Sequence, residues 1–263
     1  MTARVVATDL DGTIVRTDGE ISSRTRTALG AAEAAGALVV IVTGRPPRWL
    51  DGIADATGHH GVAICANGAL VYDLHSQHVV EAHPLSVEVA RDLVAELRAA
   101  IPGLGFAVET VEKGFAHEPG YRPRWTVTEA PVADVDALLS GSLVKLLARH
   151  EDLGSDELLA AATAAVGVEK ATLTHSSRDG LLEISAAGVS KATTLAALCV
   201  EHGHGAEHVV AFGDMPNDLP MLAWAGHSVA VANAHPDVLA AVDEVTASND
   251  DDGVALVLER LFG

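Results

Sequence analysis

RVVATDLDGT, Arg4 to Thr13, decides how the rest of the chain is read. Val5, Val6 and Ala7 form a short apolar run of the kind that lies buried on both faces of a parallel sheet. The run stops at two carboxylates, Asp9 and Asp11, followed by Gly12 and Thr13. Residues two apart on a strand point to the same side, so continuation of the strand predicts both Asp side chains in one small space at its carboxyl end. Open α/β sheets bind ligands at that edge. Packed anions repel and call for a cation or a shared proton. A hard divalent ion such as Mg²⁺, which prefers oxygen ligands, suits such a pair. An Asp-Gly turn with a purely backbone role leaves the same trace, and the remaining segments decide between the two.

Strand and helix signals alternate outward from this stretch. Ser22 or Ser23 can cap a helix running to about Ala35, with Gly36 ending it. ALVVIVTGR, Ala37 to Arg45, is a second β-branched run ending in polar residues, which completes a βαβ unit. Pro46 and Pro47 are expected to open a helix to about Thr57, with Gly58 after it. GVAICA, Gly61 to Ala66, reads as a third strand, and Asn67-Gly68 as a tight turn into a hairpin. The grammar changes near His83. An amphipathic helix over Ser86 to Ile101 is followed by expected strands at 106–110, 112–117, 143–148, 169–174 and 181–185, with helices at 132–139 and 155–166. Parallel α/β alternation returns at Ala187, with a helix from Ser190, the strand HVVAF (His208 to Phe212) and the loop GDMPND. The expected organisation is an α/β core of residues 1–82 and 187–263, with 83–186 inserted as an α+β domain.

The 263 residues are 49% hydrophobic and 3% aromatic, so the core is built mainly from Ala, Val and Leu. A formal charge of −19 argues against nucleic acid and anionic lipid surfaces as partners. An anionic substrate would need local positive charge. Cys65 and Cys199 sit in apolar segments and form neither a disulfide framework nor a zinc motif. A charged strand begins at once, without a signal peptide, and no apolar run approaches the roughly 20 residues of a membrane span. A soluble cytoplasmic protein, monomer or homodimer, is expected.

Three apolar strands end in polar clusters: Asp9/Asp11, Thr43-Gly44-Arg45, and Gly213-Asp214 with Asn217-Asp218. A doubly wound sheet brings such ends to one edge, where Asp9, Asp11 and Asp214 can offer oxygens to one Mg²⁺. Thr43 and Gly44 offer a hydroxyl and backbone N–H groups to an anion, although Thr43 as a simple helix cap is an alternative. Lys191 falls in the first turn of its helix, where the dipole disfavours a cation. A solvated surface lysine is the ordinary alternative, and the misplacement makes Lys191 a better candidate than the other lysines for neutralising a bound phosphate. Asp214 and Asp218 also suit turn and cap positions around Pro216 and Pro220. The clusters His59-His60 and His202, His204, His208 read as structural, since no cysteine or carboxylate completes a zinc set.

Together DLDGT (Asp9 to Thr13), VTGR (Val42 to Arg45), GVSK (Gly188 to Lys191) and GDMPND (Gly213 to Asp218) resemble, in order and spacing, the haloacid dehalogenase superfamily of phosphatases. The insertion looks like the type IIB cap of its Cof-type branch, as do ICANGA (Ile64 to Ala69), LEIS (Leu182 to Ser185) and VTASNDDDGVA (Val245 to Ala255). The resemblance implies a Rossmann-like doubly wound core and a cap that closes over the site and chooses the substrate. It implies that Asp9 attacks phosphorus to form an aspartyl-phosphate. Asp11 would protonate the leaving oxygen and then activate water. Mg²⁺, Thr43 and Lys191 would hold the equatorial oxygens. Gly44, Arg45, Asn217 and Asp218 would support the phosphate or the metal shell, and Lys191 would pair with Asp218. Asn67, Arg122, Arg124 and Arg178 are the substrate-side candidates, with Lys113, Trp125 and His175 as further polar groups of the insertion. The expected partner is a small phosphorylated metabolite, a sugar phosphate by family analogy. Phosphoryl transfer to another hydroxyl, as in a mutase, and non-enzymatic sensing are the competing expectations.

Overall fold

A computed structural model describes residues 3–50, 52–57, 61–124, 129–167 and 169–263, without the side chains of 55 and 56. The chain divides into two compact units, one of Met1–Glu81 with Ser190–Gly263, the other of Ala82–Val189.

The first unit opens with β1 (Val5–Thr8), α1 (Ser23–Ala34), β2 (Leu38–Val42), α2 (Ile53–Thr57), β3 (Val62–Cys65), β4 (Leu70–Asp73) and β5 (His78–Ala82). The second unit follows with α3 (Val87–Ala100), β6 (Gly105–Thr110), β7 (Gly114–His117), α4 (Val135–Leu138), β8 (Leu143–Arg149), α5 (Ser155–Ala165), β9 (Ala171–Thr174) and β10 (Leu181–Ala186). The chain returns to the first unit with α6 (Lys191–Glu201), β11 (Val209–Gly213), α7 (Leu219–Trp224), β12 (His227–Ala230), α8 (Pro236–Leu239), β13 (Glu244–Val245) and α9 (Gly253–Phe262).

The first unit holds an eight-stranded sheet in the order β13-β12-β11-β1-β2-β3-β4-β5. β1 lies inside it, parallel to β11 on one side and β2 on the other, with Val5 opposite both Val209 and Leu38. All four β1 residues are buried, as the continuous apolar run requires of a strand covered on both faces. The chain order reverses at β1, which makes the carboxyl edge of β1 and β11 the topological switch point where such sheets place ligand sites. Ser22 caps α1 by accepting the Thr25 N–H at 3.0 Å. Ser190 and Thr193 close a reciprocal capping box on α6.

Two local expectations change. The single helix expected over residues 46–57 is instead a 3₁₀ turn, Pro47–Trp49, followed by the short α2. Pro46 stays extended (φ −73°, ψ 159°), because a residue that precedes proline is pushed out of the helical region. The expected terminator Gly58 lies outside the described residues. The Asn67-Gly68 hairpin turn is a tighter 3₁₀ turn, Ala66–Gly68, joining the antiparallel pair β3 and β4.

The second unit is a five-stranded sheet, β7-β6-β8-β10-β9, whose assigned pairings are all antiparallel. Leu93 and Leu97 of α3 and Leu158 and Ala162 of α5 pack on one face against Phe106, Val108, Leu146, Ala148, Leu182 and Ile184. Alternation puts Ala107, Leu147 and Leu181 on the other face with Phe115 and Tyr121. The helix expected over 132–139 shortens to α4, because Val132 is held extended in a bridge to His117. Among the described residues no helix is long and apolar enough to cross a membrane.

Candidate active site

The site is built from the carboxyl ends of β1 and β11 and the start of α6. The Asp9 N–H donates to the Phe212 carbonyl at 3.1 Å, which extends the β1–β11 ladder one step past the strand. The Asp9 carboxylate, 5% exposed, accepts from Lys191 Nζ at 2.6 Å. Lys191 is the first residue of α6 and is wholly buried; its Nζ also donates to Asp218 Oδ1 at 2.6 Å. Asp218 Oδ2 accepts the backbone N–H groups of Asp214 at 3.0 Å and Met215 at 3.1 Å. Thr13 Oγ1 donates to Asp214 Oδ1 at 3.1 Å. Gly12 permits this closeness. Its φ is +76°, and a Cβ there would lie 2.5 Å from Asp214 Oδ2.

The electrostatics are those of one cation among three acids. Burial lifts the Asp9 carboxyl well above the ordinary range; Lys191 pulls it back, while Asp218, Asp214 and Asp11 push it further up. Burial also pushes Asp214 up to about 7, helped by Asp218 and opposed by Lys191 and by the Thr13 hydrogen bond. Burial works against the Lys191 ammonium, yet Asp218 and Asp9 outweigh it and hold its pKa above the usual value. Asp9, Asp214 and Asp218 each present an oxygen, all within 4.8 Å of one another, the grouping among the described residues that could hold an ion. Asp218 is already committed to Lys191 and two backbone amides, so Asp9 and Asp214 keep more acceptor capacity. An all-oxygen, electron-rich set in need of positive charge fits a hard cation such as Mg²⁺.

Asp11 departs from expectation. β1 ends at Thr8, so strand alternation does not carry the Asp11 side chain beside Asp9. Its carboxylate is 58% exposed and grips Arg45, with Nε at 2.8 Å from Oδ2 and Nη2 at 2.5 Å from Oδ1. The Asp11 carboxylate is therefore outside the close acid grouping, which holds Asp9, Asp214 and Asp218, although its charge still acts on Asp9 and Asp214.

Thr43 is buried at the end of β2, where its hydroxyl accepts the Arg45 N–H at 3.1 Å, with Gly44 between them. Asn217, also buried, donates through Nδ2 to Asn67 Oδ1 at 3.0 Å. Arg122, Arg124 and Arg178 belong to the second unit and are exposed. Arg122 pairs with Glu151, and Arg124 lies 3.9 Å from Asp179. Lys113 is exposed beside Ser140, and His175 is buried on Asp156 at 2.9 Å. Trp125 and His59-His60 lie outside the described residues. His204 and His208 contact each other edge to face at 5.9 Å between ring centroids. The sequence reading overlooked the buried pair of Lys145 and Glu183, 2.5 Å apart, with Glu109 opposite Lys145 in register. Its signal was in LVKLLAR, where Lys145 and Arg149 alternate with Leu147 on one face.

A family model for haloacid dehalogenase-like hydrolases matches residues 6–258. The chain is 32% identical over 270 residues to the pyridoxal phosphate phosphatase YbhA of Escherichia coli (strain K12), covering 97% of each chain. It is 28% identical over 260 residues to the 5-amino-6-(5-phospho-D-ribitylamino)uracil phosphatase YcsE of Bacillus subtilis (strain 168), covering 98% of this chain and 95% of that one. Among solved structures, the subclass IIB sugar phosphatase BT4131 superposes with a TM-score of 0.81 at 22% identity over 98% of each chain, a likeness of fold.

Proposed function

The chain belongs to the haloacid dehalogenase-like hydrolases, and we propose that it is a Mg²⁺-dependent phosphatase of small phosphomonoesters working through an aspartyl-phosphate on Asp9. One observation carries this reading: a wholly buried lysine bonded to two acids from distant parts of the chain, Asp9 and Asp218, with Asp214 within reach. Buried ionised groups persist where they are paired, and perturbed acids in a crevice mark chemistry.

In the proposed reaction Asp9 attacks phosphorus. Lys191 occupies Oδ1, which leaves Oδ2 as the nucleophile. The Oδ2–P bond forms, the bond from phosphorus to the leaving oxygen breaks, and Asp11 gives that oxygen a proton. In the second step Asp11 takes a proton from water, the water oxygen bonds to phosphorus, and the Asp9–phosphorus bond breaks to release phosphate. Lys191 and Thr43 would offset charge on the equatorial oxygens, with Gly44, Arg45, Asn217 and Asp218 holding these groups in place. Mg²⁺, held by Asp9 and Asp214, would supply further charge neutralisation of the phosphate.

Sugar phosphates are the proposed substrate class, in line with the name of BT4131. The names of YbhA and YcsE add pyridoxal phosphate and a phosphoribitylamino-uracil as comparison substrates. The test is phosphate release across a panel of these compounds. Turnover should require Mg²⁺, stop with a chelator, and fall at least ~10³-fold in Asp9→Asn. Undiminished turnover in that variant would end the proposal.

A further inference from the structure

We propose that the turn Ala66–Gly68 sets the phosphate-holding groups in register, and that Asn67 is a positioning residue that presents the Asn217 amide to the bound phosphate. The proposal rests on the phosphatase reading above.

The turn is costly by itself. Ala66, Asn67 and Gly68 take φ values of 51°, 58° and 103° in succession. Left-handed backbone at a residue other than glycine persists where its surroundings dictate it. Here four hydrogen bonds do so. The Ala66 N–H donates to the Arg45 carbonyl at 2.9 Å, and the Asn67 N–H to the Thr43 carbonyl at 3.0 Å. Thr194 Oγ1 donates to the Gly68 carbonyl at 2.7 Å. Asn217 Nδ2 donates to Asn67 Oδ1 at 3.0 Å. A Cβ on Gly68 would lie 2.2 Å from the Ser190 carbonyl, so the turn is pressed against the first turn of α6, beside Lys191. One short turn thus ties together the segments that carry Thr43, Lys191 and Asn217.

The amide pair is also incomplete. Asn67 Nδ2 and Asn217 Oδ1 are buried without a hydrogen-bond partner among the described residues. Both amides turned over fit the same heavy-atom positions and again leave one donor and one acceptor unmatched. In that second arrangement Asn67 Nδ2 donates to Asn217 Oδ1, and Asn217 Nδ2 becomes the free donor. An unprotonated phosphate oxygen at the Asn217 end of the pair needs a donor there, and such a contact selects this arrangement. Asn67 then acts by fixing which end of Asn217 faces the anion.

The test uses Asn67→Gly, which keeps the left-handed backbone without strain and removes the amide. Inorganic phosphate binding, followed by calorimetry with Mg²⁺ present, should weaken about tenfold or more, the loss typical of a hydrogen bond to a charged group. In turnover, KM for the phosphomonoester should rise by a similar factor. Asn217→Ala should lose as much, and the double variant should stay within about twofold of Asn217→Ala, since both changes remove one unit. Should Asn67→Gly not fold, Asn67→Asp is read in its place. It tolerates the left-handed region but as a carboxylate can only accept, so phosphate binding should fall likewise.

Phosphate bound as tightly by Asn67→Gly as by the wild type, or losses that multiply in the double variant, would overturn the proposal. Wild-type turnover with an unaffected Asn67→Gly removes this inference alone. Phosphate binding that depends on Asn67, in a protein that hydrolyses no phosphomonoester, removes the phosphatase reading and keeps the amide pair as an anion site. A wild type that binds no phosphate removes both.

Discussion

Two lysines in this chain are buried beside carboxylates, and they reach them by different routes. Lys145 lies on the second unit's sheet, 4% exposed, with Glu183 at 2.5 Å and Glu109 opposite in register. Its partners are delivered by neighbouring strands, so ladder pairing alone fixes their places. Lys191 is 0% exposed and meets Asp9 and Asp218, which arrive from loops after different strands, with Asp214 close behind. No ladder fixes that meeting. It depends on the switch point beside β1, a glycine at residue 12 and a lysine at the unfavourable end of a helix. Burial of charge is common to both places. What sets the proposed site apart is convergence from separate loops, where the sheet group is assembled by neighbouring strands.

The sharpest way to break this comparison is to remove each ammonium. Lys191→Met should reduce turnover by at least ~10³-fold, since it deletes a charge opposite the developing anion. It also leaves the buried acids uncompensated, and Mg²⁺ should return part of the lost stability. Lys145→Met takes the ammonium away from Glu183 and should cost about 3–5 kcal/mol, with no recovery from Mg²⁺. Replacing the ammonium and both acids beside it, as in Lys145→Met with Glu183→Leu and Glu109→Leu, should bring stability back toward the wild type, because removing an entire buried ionic group is often neutral. Chemical denaturation with and without Mg²⁺ checks all three. Recovery of Lys145→Met by Mg²⁺, or full turnover in Lys191→Met, would erase the distinction.

Acid–base behaviour sharpens it further. Asp214 ionises near 7 in the folded, metal-free protein, against an ordinary value of 3.8. Between these values the folded state holds a proton on Asp214 that the unfolded state has lost, so this group's contribution to stability falls as pH rises from about 4 to about 7. The raised Asp9 acts in the same direction. A cation replaces the proton, so millimolar Mg²⁺ should raise the melting temperature more at pH 8 than at pH 5, by roughly 5 °C or more when saturating. A melting temperature indifferent to Mg²⁺ at pH 8 would count against Asp9 and Asp214 as ligands.

The sequence disclosed the first region far better than the second. β1, β2 and β11 were legible because continuous apolar runs ending in polar clusters have few other readings, and Lys191 because it defies the helix dipole. The place of the Asp11 side chain is not legible, because β1 ends at Thr8 and strand ends are set by ladder pairing that no local pattern reports. Lys145 and Glu183 stayed hidden for the opposite reason. Each is a lone charge in an alternating strand, where the solvated face is the ordinary place for it. Asn67 was visible as a turn residue, but its contact with Asn217 spans 150 positions and depends on the assembled sheet. The shortened α4 and the broken segment over 46–57 came from bonding and proline geometry that helix periodicity does not weigh.

The smallest expected effect belongs to the cation that is not buried. Arg45 is 24% exposed and its partner Asp11 58%, so their bidentate pair sits in water-like surroundings despite its short contacts. Such pairs contribute at most ~1 kcal/mol and are screened by salt. Arg45→Gln should therefore shift folding stability by less than about 1 kcal/mol, within the range of ordinary surface changes. Its effect on turnover follows from what Asp11 does. If Asp11 exchanges protons with the leaving group and with water, the arginine must release it in every cycle, and losing the grip should change kcat while leaving phosphate affinity nearly intact. High salt should move the wild type toward the variant, because ions loosen the same pair. A stability loss for Arg45→Gln as large as that of Lys191→Met would mean that exposure does not govern the worth of these cations, and the contrast between the two lysines would lose its physical basis.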